Sequence, residues 1–234
     1  MSEHEAQNSK SSGPSPLLVL LALGAVLAVV AVAALVFINA GRQDPNSAQT
    51  TDTGAAIIGD DLYSTGVTEV DPKPISDFSL TRSDGSPLGL ADLMGKYTVI
   101  YFGYTYCPDF CPSTMTDWRV VIRALGDESP RVNFLLISVD PNRDLPEVLA
   151  RYLLPFDPSI IGATGTEAVL RAMTDEFGAF FEPVAQDSSP LYMVNHTASQ
   201  FVVDPAGNLV TVYAFGTPVD IITADLRAKI GRGR

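Results

Sequence analysis

The sequence predicts an α/β protein, and three observations carry the prediction. From about residue 74 onward, short apolar runs alternate with longer segments whose apolar residues recur every three or four positions, as when strands interleave with helices. Two of the short runs, YTVIYFGY over 97–104 and VNFLLISVD over 132–140, are rich in β-branched and aromatic residues, which suits strands buried on both faces. Between them Pro112 opens a helix that ends near Leu125, before Gly126, because proline is tolerated in a first helical turn and glycine just past a last one. Strand, helix and strand together make a βαβ crossover.

The other elements follow from the same two periods. ISDFSLTRSDGSPLGL, residues 75–90, reads as a hairpin turning at Asp84-Gly85, a dipeptide that accepts the positive φ of a tight turn. LPEVLARYLL (145–154) and TEAVLRAMTDEFGAF (166–180) read as helices, with IIGATG (160–165) as a short strand between them. ASQFVVDPAGNLVTVYAF (198–215) reads as two strands around Asp204-Pro205-Ala206-Gly207, and VDIITADLRAKI (219–230) as a closing helix. No internal repeat is present.

Composition bounds the function. The chain has 234 residues, 46% of them hydrophobic, enough for one full-sized core after a tail is set aside. A net charge of -12 argues against a nucleic-acid partner, which needs clustered Lys and Arg to displace counterions from phosphates. Leu17 to Ile38 carries no charged side chain and would make about 33 Å of helix, enough to cross a bilayer. A cleaved secretory signal is the rival reading, but its apolar core would be shorter and Ile38-Asn39-Ala40 lacks the small-x-small cleavage pattern. The expected organisation is a short cytoplasmic tail over 1–16, a transmembrane anchor over 17–39, a flexible acidic linker over 40–73 and a folded domain over 74–234. With acidic residues and no arginine before the anchor, the tail is unlike an organelle transit peptide, so a bacterial inner-membrane protein with its soluble domain in the periplasm fits best.

Both cysteines of the chain, Cys107 and Cys111, fall in YFGYTYCPDFCPSTM, where the first strand of the crossover gives way to its helix. That is the usual ligand position of open α/β sheets. Free amides and partial positive charge at a helix start favour thiolate over thiol, for Cys111 in particular, and Pro108 and Pro112 stiffen the backbone around both sulfurs. Thioredoxin-type exchange normally uses two intervening residues, and the three here leave a disulfide feasible while making chelation more attractive. Two thiolates select Cu(I), zinc or an iron–sulfur cluster, and such ions call for a third ligand. His4 lies on the far side of the anchor, which leaves His196, just before a strand of the same sheet. Met193 reads as core packing, and Asp140 and Asp144 of DPNRD read as turn and cap residues that border the site. Tyr104, Tyr106 and Phe110 are expected to be exposed aromatics, serving as a docking patch or as a shield for the sulfurs.

Four blocks in order, YFGYTYCPDFCPSTM, ISVDPNRDLPEVLARYL, GATGTEAVLRAM and VNHTASQFVVDPAGNLV, resemble the Sco/SenC family of membrane-anchored copper-binding proteins, from about Ile75 to the C-terminus. The resemblance implies a thioredoxin-like α/β fold, a central mixed sheet flanked by helices, with copper held as Cu(I), and Cu(II) as a second state, by Cys107, Cys111 and His196. It implies a chaperone delivering copper to the binuclear centre of cytochrome c oxidase subunit II; enzymatic activity is left open between a metallochaperone and a thiol-disulfide reductase, and a monomer is the expected state. Two departures stand out. Ala198 replaces the proline that thioredoxin-like chains place before the matching strand, and Asn195 replaces the family's usual Asp before the histidine. A thiol-disulfide oxidoreductase that keeps the recipient's cysteines reduced, and a peroxide sensor or peroxidase, are the rival functions. Zinc is the rival metal.

Overall fold

The computed structural model describes residues 65–186 and 189–232. The tail, the apolar stretch 17–39 and the linker up to residue 64 lie outside the described residues. Among the described residues no helix is long and apolar enough to cross a membrane.

Strands β1 (Val67–Pro74), β2 (Leu80–Arg82) and β3 (Pro87–Leu88) precede β4 (Tyr97–Gly103). Helix α1 (Phe110–Leu125) joins β4 to β5 (Val132–Ser138). Next come α2 (Pro146–Leu153), β6 (Ile160–Thr164) and α3 (Glu167–Phe177), then the paired strands β7 (Phe181–Gln186) and β8 (Ser189–His196). The chain closes with β9 (Gln200–Val203), β10 (Asn208–Tyr213) and α4 (Val219–Arg232).

Eight strands form one mixed sheet in the order β1-β10-β9-β4-β5-β6-β2-β3. Parallel pairing of β4 with β5 runs in register from Tyr97 opposite Val132 to Gly103 opposite Ser138, so the expected crossover is present. On its other side β4 pairs antiparallel with β9. Six of the seven β4 residues are buried, as a strand covered on both faces requires. The buried stripe of α1, Cys111, Thr114, Met115, Trp118, Val121, Ile122 and Leu125, repeats at three- and four-residue intervals and so faces the core along its whole length. Each such aliphatic side chain contributes about 1.5–3 kcal/mol by leaving water.

Two sequence-based expectations change. Residues 67–73 of the expected linker belong to β1, which pairs antiparallel with β10. This strand, VTEVDPKP, is mostly exposed and carries three charges, so it lacks the apolar alternation that announces a strand. Its hold on the body is partly ionic. Lys229 of α4, with only 5% of its side chain exposed, places Nζ 2.6 Å from Glu69 Oε1 and 3.0 Å from Asp225 Oδ1. Asp225 also accepts a hydrogen bond from the Tyr213 hydroxyl at 2.5 Å. The second change is β7–β8, a two-stranded sheet of its own that the sequence pattern does not announce.

Lys229→Ala would leave the largely buried Asp225 without its cation. The expected loss in unfolding free energy by denaturant titration is about 3 kcal/mol, the lower end for breaking a buried pair, and a loss under about 1 kcal/mol would show that the pair is not structural.

Candidate metal centre

Cys107 and Cys111 are positioned by the end of β4 and the start of α1. Cys111 is the second residue of the helix, fully buried, and Cys107 lies four residues earlier in the connecting loop, 7% exposed. Asp109 occupies the helix cap but its carboxylate makes no capping bond. Instead the amide of Cys111 donates to Cys107 Sγ at 3.4 Å, so a sulfur takes up an amide that the first turn leaves unpaired. The backbone amide of Tyr104 donates to Cys111 Sγ at 3.5 Å, and the Tyr101 hydroxyl donates to the same sulfur at 3.7 Å. A Cβ on Gly103 would stand 3.0 Å from Cys111 Sγ and 2.8 Å from the Tyr101 ring, so glycine here is what lets the buried sulfur approach the strand.

His196 ends β8 and meets this pair from the other side. Its Nε2 stands 3.7 Å from Cys111 Sγ, across 85 positions of sequence. Its Nδ1 is 3.1 Å from the Thr197 carbonyl oxygen, which can only accept, so Nδ1 carries the proton and Nε2 presents a lone pair to the sulfurs. Tyr101 and Tyr104 hold the imidazole edge-on, with ring centroids 5.8 and 5.6 Å away.

The three ligand atoms lie within 4.8 Å of one another. Sulfur and imidazole donors bonded to one ion at about 2.0–2.3 Å, and subtending about 110–120° there, stand about 3.6–3.8 Å apart. The Cys111–His196 separation meets that test. The donors are soft, and the two cysteines are free thiols.

The thiols are electrostatically unequal. The hydrogen bond from the Cys111 thiol holds Cys107 well below the ordinary cysteine range, with backbone amides of Cys111 and Asp109 helping, against the opposing effect of burial. Burial first, and then the neighbouring Cys107 thiolate, push Cys111 up, which reverses the expectation that the helix start would favour a thiolate at Cys111 in particular: Cys111 is fully buried, and the charge sits on Cys107. The pair therefore carries one negative charge and one proton between its sulfurs. Burial likewise pushes the Tyr101 phenol up and keeps it a donor.

The other singled-out residues fall in distinct places. Asp140 and Asp144 are both buried. Asp144 accepts from the Thr105 amide at 2.8 Å, the Thr105 hydroxyl at 2.6 Å and the Ser138 hydroxyl at 2.6 Å, and so anchors the loop just before the cysteines. Met193 lines a cavity of about 380 Å³ with Cys107, Phe110, Phe180, Asn195 and His196. Asn195 lies opposite Glu182 across the hairpin, so a carboxylate still stands beside the departure from Asp. Of the three aromatics, Tyr106 and Phe110 are exposed, but Tyr104 is 1% exposed, because its ring packs against His196 and its hydroxyl accepts from the Val194 amide. Sequence reasoning missed Tyr101 and Arg143 as site residues. Tyr101 was visible only as one aromatic in an apolar strand.

A sequence profile of the SCO1/SenC family matches residues 68–231. The SCO2-like protein of Rickettsia felis is 34% identical over 148 residues, 62% of this chain and 72% of that one. ScoI of Bradyrhizobium japonicum, solved with copper bound, is 33% identical with a TM-score of 0.62, covering 66% of this chain and 98% of that one. ScoI of Arabidopsis thaliana, also solved with copper bound, is 31% identical with a TM-score of 0.63, covering 67% and 98%. Among the curated relatives the share of their length that is matched falls from 72% to as little as 45%. These likenesses bear out the expected family and the thioredoxin-like α/β fold with its central mixed sheet.

Because Cys107 is held as a thiolate, its alkylation by iodoacetamide in metal-free, reduced protein is expected to stay nearly flat from pH 9 to pH 6. An ordinary thiol slows about tenfold per unit below its pKa of ~8.5. Cys111→Ala removes the donated hydrogen bond, and mass spectrometry should then show that slope return; an ordinary profile in the unsubstituted chain would contradict the assignment.

Proposed function

This chain belongs to the SCO1/SenC family, and from that premise we propose that it is a copper chaperone that takes up Cu(I) at Cys107, Cys111 and His196. The observation that carries the reading is the approach of His196 Nε2 to Cys111 Sγ at 3.7 Å with the ring tautomer already fixed by Thr197. Copper itself is supported by the copper-bound ScoI relatives.

Charge favours the monovalent ion. In the empty site one proton is shared by two sulfurs; Cu(I) entering displaces that proton to solvent and leaves the same net negative charge in a buried place. No further charge need be desolvated. Two thiolates and one imidazole satisfy a soft, low-coordinate ion, and they leave one approach open for an incoming donor. That approach is the cavity beside Cys107, between Phe110, Phe180 and Asn195. The recipient is the binuclear copper centre of cytochrome c oxidase subunit II. The apolar stretch Leu17–Ile38 tethers the donor to the same bacterial inner membrane, with the folded domain on the periplasmic side. Confinement raises the encounter rate without demanding a tight interface.

A thiol-disulfide reductase is the second reading, and the depressed Cys107 thiol favours it, since a standing thiolate is the attacking species in exchange. His196 separates the two. Under anaerobic reducing conditions His196→Ala should weaken Cu(I) binding on the order of 100-fold or more, above the 10- to 100-fold that loss of an outer partner costs. Either cysteine changed to Ala should abolish high-affinity binding, and only the unsubstituted chain should load the apo recipient domain. Unchanged Cu(I) affinity in His196→Ala, with dithiol exchange intact, would leave the reductase reading in its place.

A further inference from the structure

We infer that Arg143 is the positioning residue of this metal centre: its guanidinium clamps the hairpin that carries His196 against the loop that carries the thiols, so the imidazole stands at ligating distance before a metal arrives. This rests on the three-ligand site proposed above and names what assembles it.

The centre is built from two bodies that share no backbone ladder. The cysteines belong to the main sheet and α1, whereas His196 belongs to β7–β8, which pairs only with itself. A lone two-stranded hairpin is marginal in water, so its placement depends on side-chain ties to the body. Arg143, in the loop after β5, makes the most extensive of them. Its Nε donates to Asp140 Oδ2 at 2.5 Å, and its Nη1 donates to the Tyr192 carbonyl at 2.8 Å. The guanidinium carbon lies 3.7 Å from the centre of the Tyr192 ring, 4.7 Å from that of Tyr106 and 5.9 Å from that of Tyr104. Tyr192 closes the arrangement, its hydroxyl donating to Asp140 Oδ1 at 2.5 Å.

These contacts join the two bodies where it matters. Tyr106 immediately precedes Cys107. Tyr192 precedes His196 by four residues on β8, and with a period of two the positions share a strand face. Pinning Tyr192 therefore fixes the strand that aims the imidazole. Other ties help hold the hairpin: the Val194 amide donates to the Tyr104 hydroxyl at 3.3 Å, half-exposed Arg171 lies over Phe181 and donates to its carbonyl at 3.5 Å, Phe181 and Val194 are buried in the core, and the Tyr101 and Tyr104 rings flank His196; none of them joins a carboxylate, a hairpin carbonyl and three aromatic rings as Arg143 does. The side chain of Arg143 is 15% exposed, and Asp140 supplies the opposite charge. Only a planar, forked cation reaches a carboxylate and a carbonyl while its faces lie on aromatic rings, so lysine keeps only part of the clamp.

The consequence is a binding-competent fraction. If the imidazole is in place only part of the time, apparent affinity falls by that fraction, so a drop from near unity to about 1–10% costs about 10- to 100-fold. In the full chain, Arg143→Ala should weaken Cu(I) binding by that factor when His196 is present and by less than about twofold in the His196→Ala background. Arg143→Lys should fall between. In metal-free protein, the His196 ring-proton NMR signals, shifted by Tyr101 and Tyr104, should move toward free-histidine positions in Arg143→Ala, and exchange of the Val194 amide should quicken. If Arg143→Ala does not fold, Arg143→Lys and Tyr192→Phe decide by the same readouts. Equal losses with and without His196, or unmoved imidazole signals in the metal-free variants, would overturn the clamp. If His196→Ala alone binds Cu(I) normally, the ligand assignment has failed, and the metal-free signals still judge the clamp.

Discussion

Everything at this site depends on one imidazole meeting one buried sulfur. Cys111 is fixed by the buried centre of the main sheet, a central parallel strand pair and the first turn of the helix between them. His196 is brought to it from outside the main sheet by a hairpin, with its Nδ1 proton spent on the Thr197 carbonyl so that Nε2 is left as a donor atom. Remove that convergence and what remains is a buried dithiol.

The same convergence sets the electrostatics. A fully buried sulfur does not readily hold a negative charge, so the proton settles on Cys111 and the charge on Cys107, which faces the cavity and receives helix-start amides. The inequality divides the labour. Cys107 is the charged side of the site and lines the cavity, where the proposed chaperone would receive an ion or a partner's donor, and Cys111 with His196 is the closed side. The DPNRD loop serves both, with Asp144 holding the backbone at Thr105 and Asp140 balancing Arg143.

Much of this was legible in the sequence, and for identifiable reasons. β4, β5 and α1 announce themselves because central strands must be apolar throughout and a core-facing helix must repeat its apolar residues at three or four. The thiols stand out because the chain has only two. What stayed hidden depends on tertiary contact. FEPVAQ and SPLYMVNH contain Pro183 and Pro190 and no clean alternation, so the hairpin that delivers the histidine is silent in the pattern. β1 is a charged edge strand held by a lysine from the far end of the chain. Arg143, inside an Asp-Pro turn, reads as an ordinary surface cation; only the three tyrosine rings and the carboxylate gathered around it, from separate segments, reveal otherwise. Tyr104, one residue past a buried strand, faces inward because the histidine it packs against lies far along the chain.

X-ray absorption of the Cu(I)-loaded chain, prepared anaerobically with excess reductant, tests the central claim most directly. A first shell of two sulfurs and one imidazole nitrogen, with outer-shell scattering from the ring, is the result that the proposed copper-chaperone reading predicts. A shell of sulfur alone, without imidazole scattering, would mean that the histidine does not ligate copper.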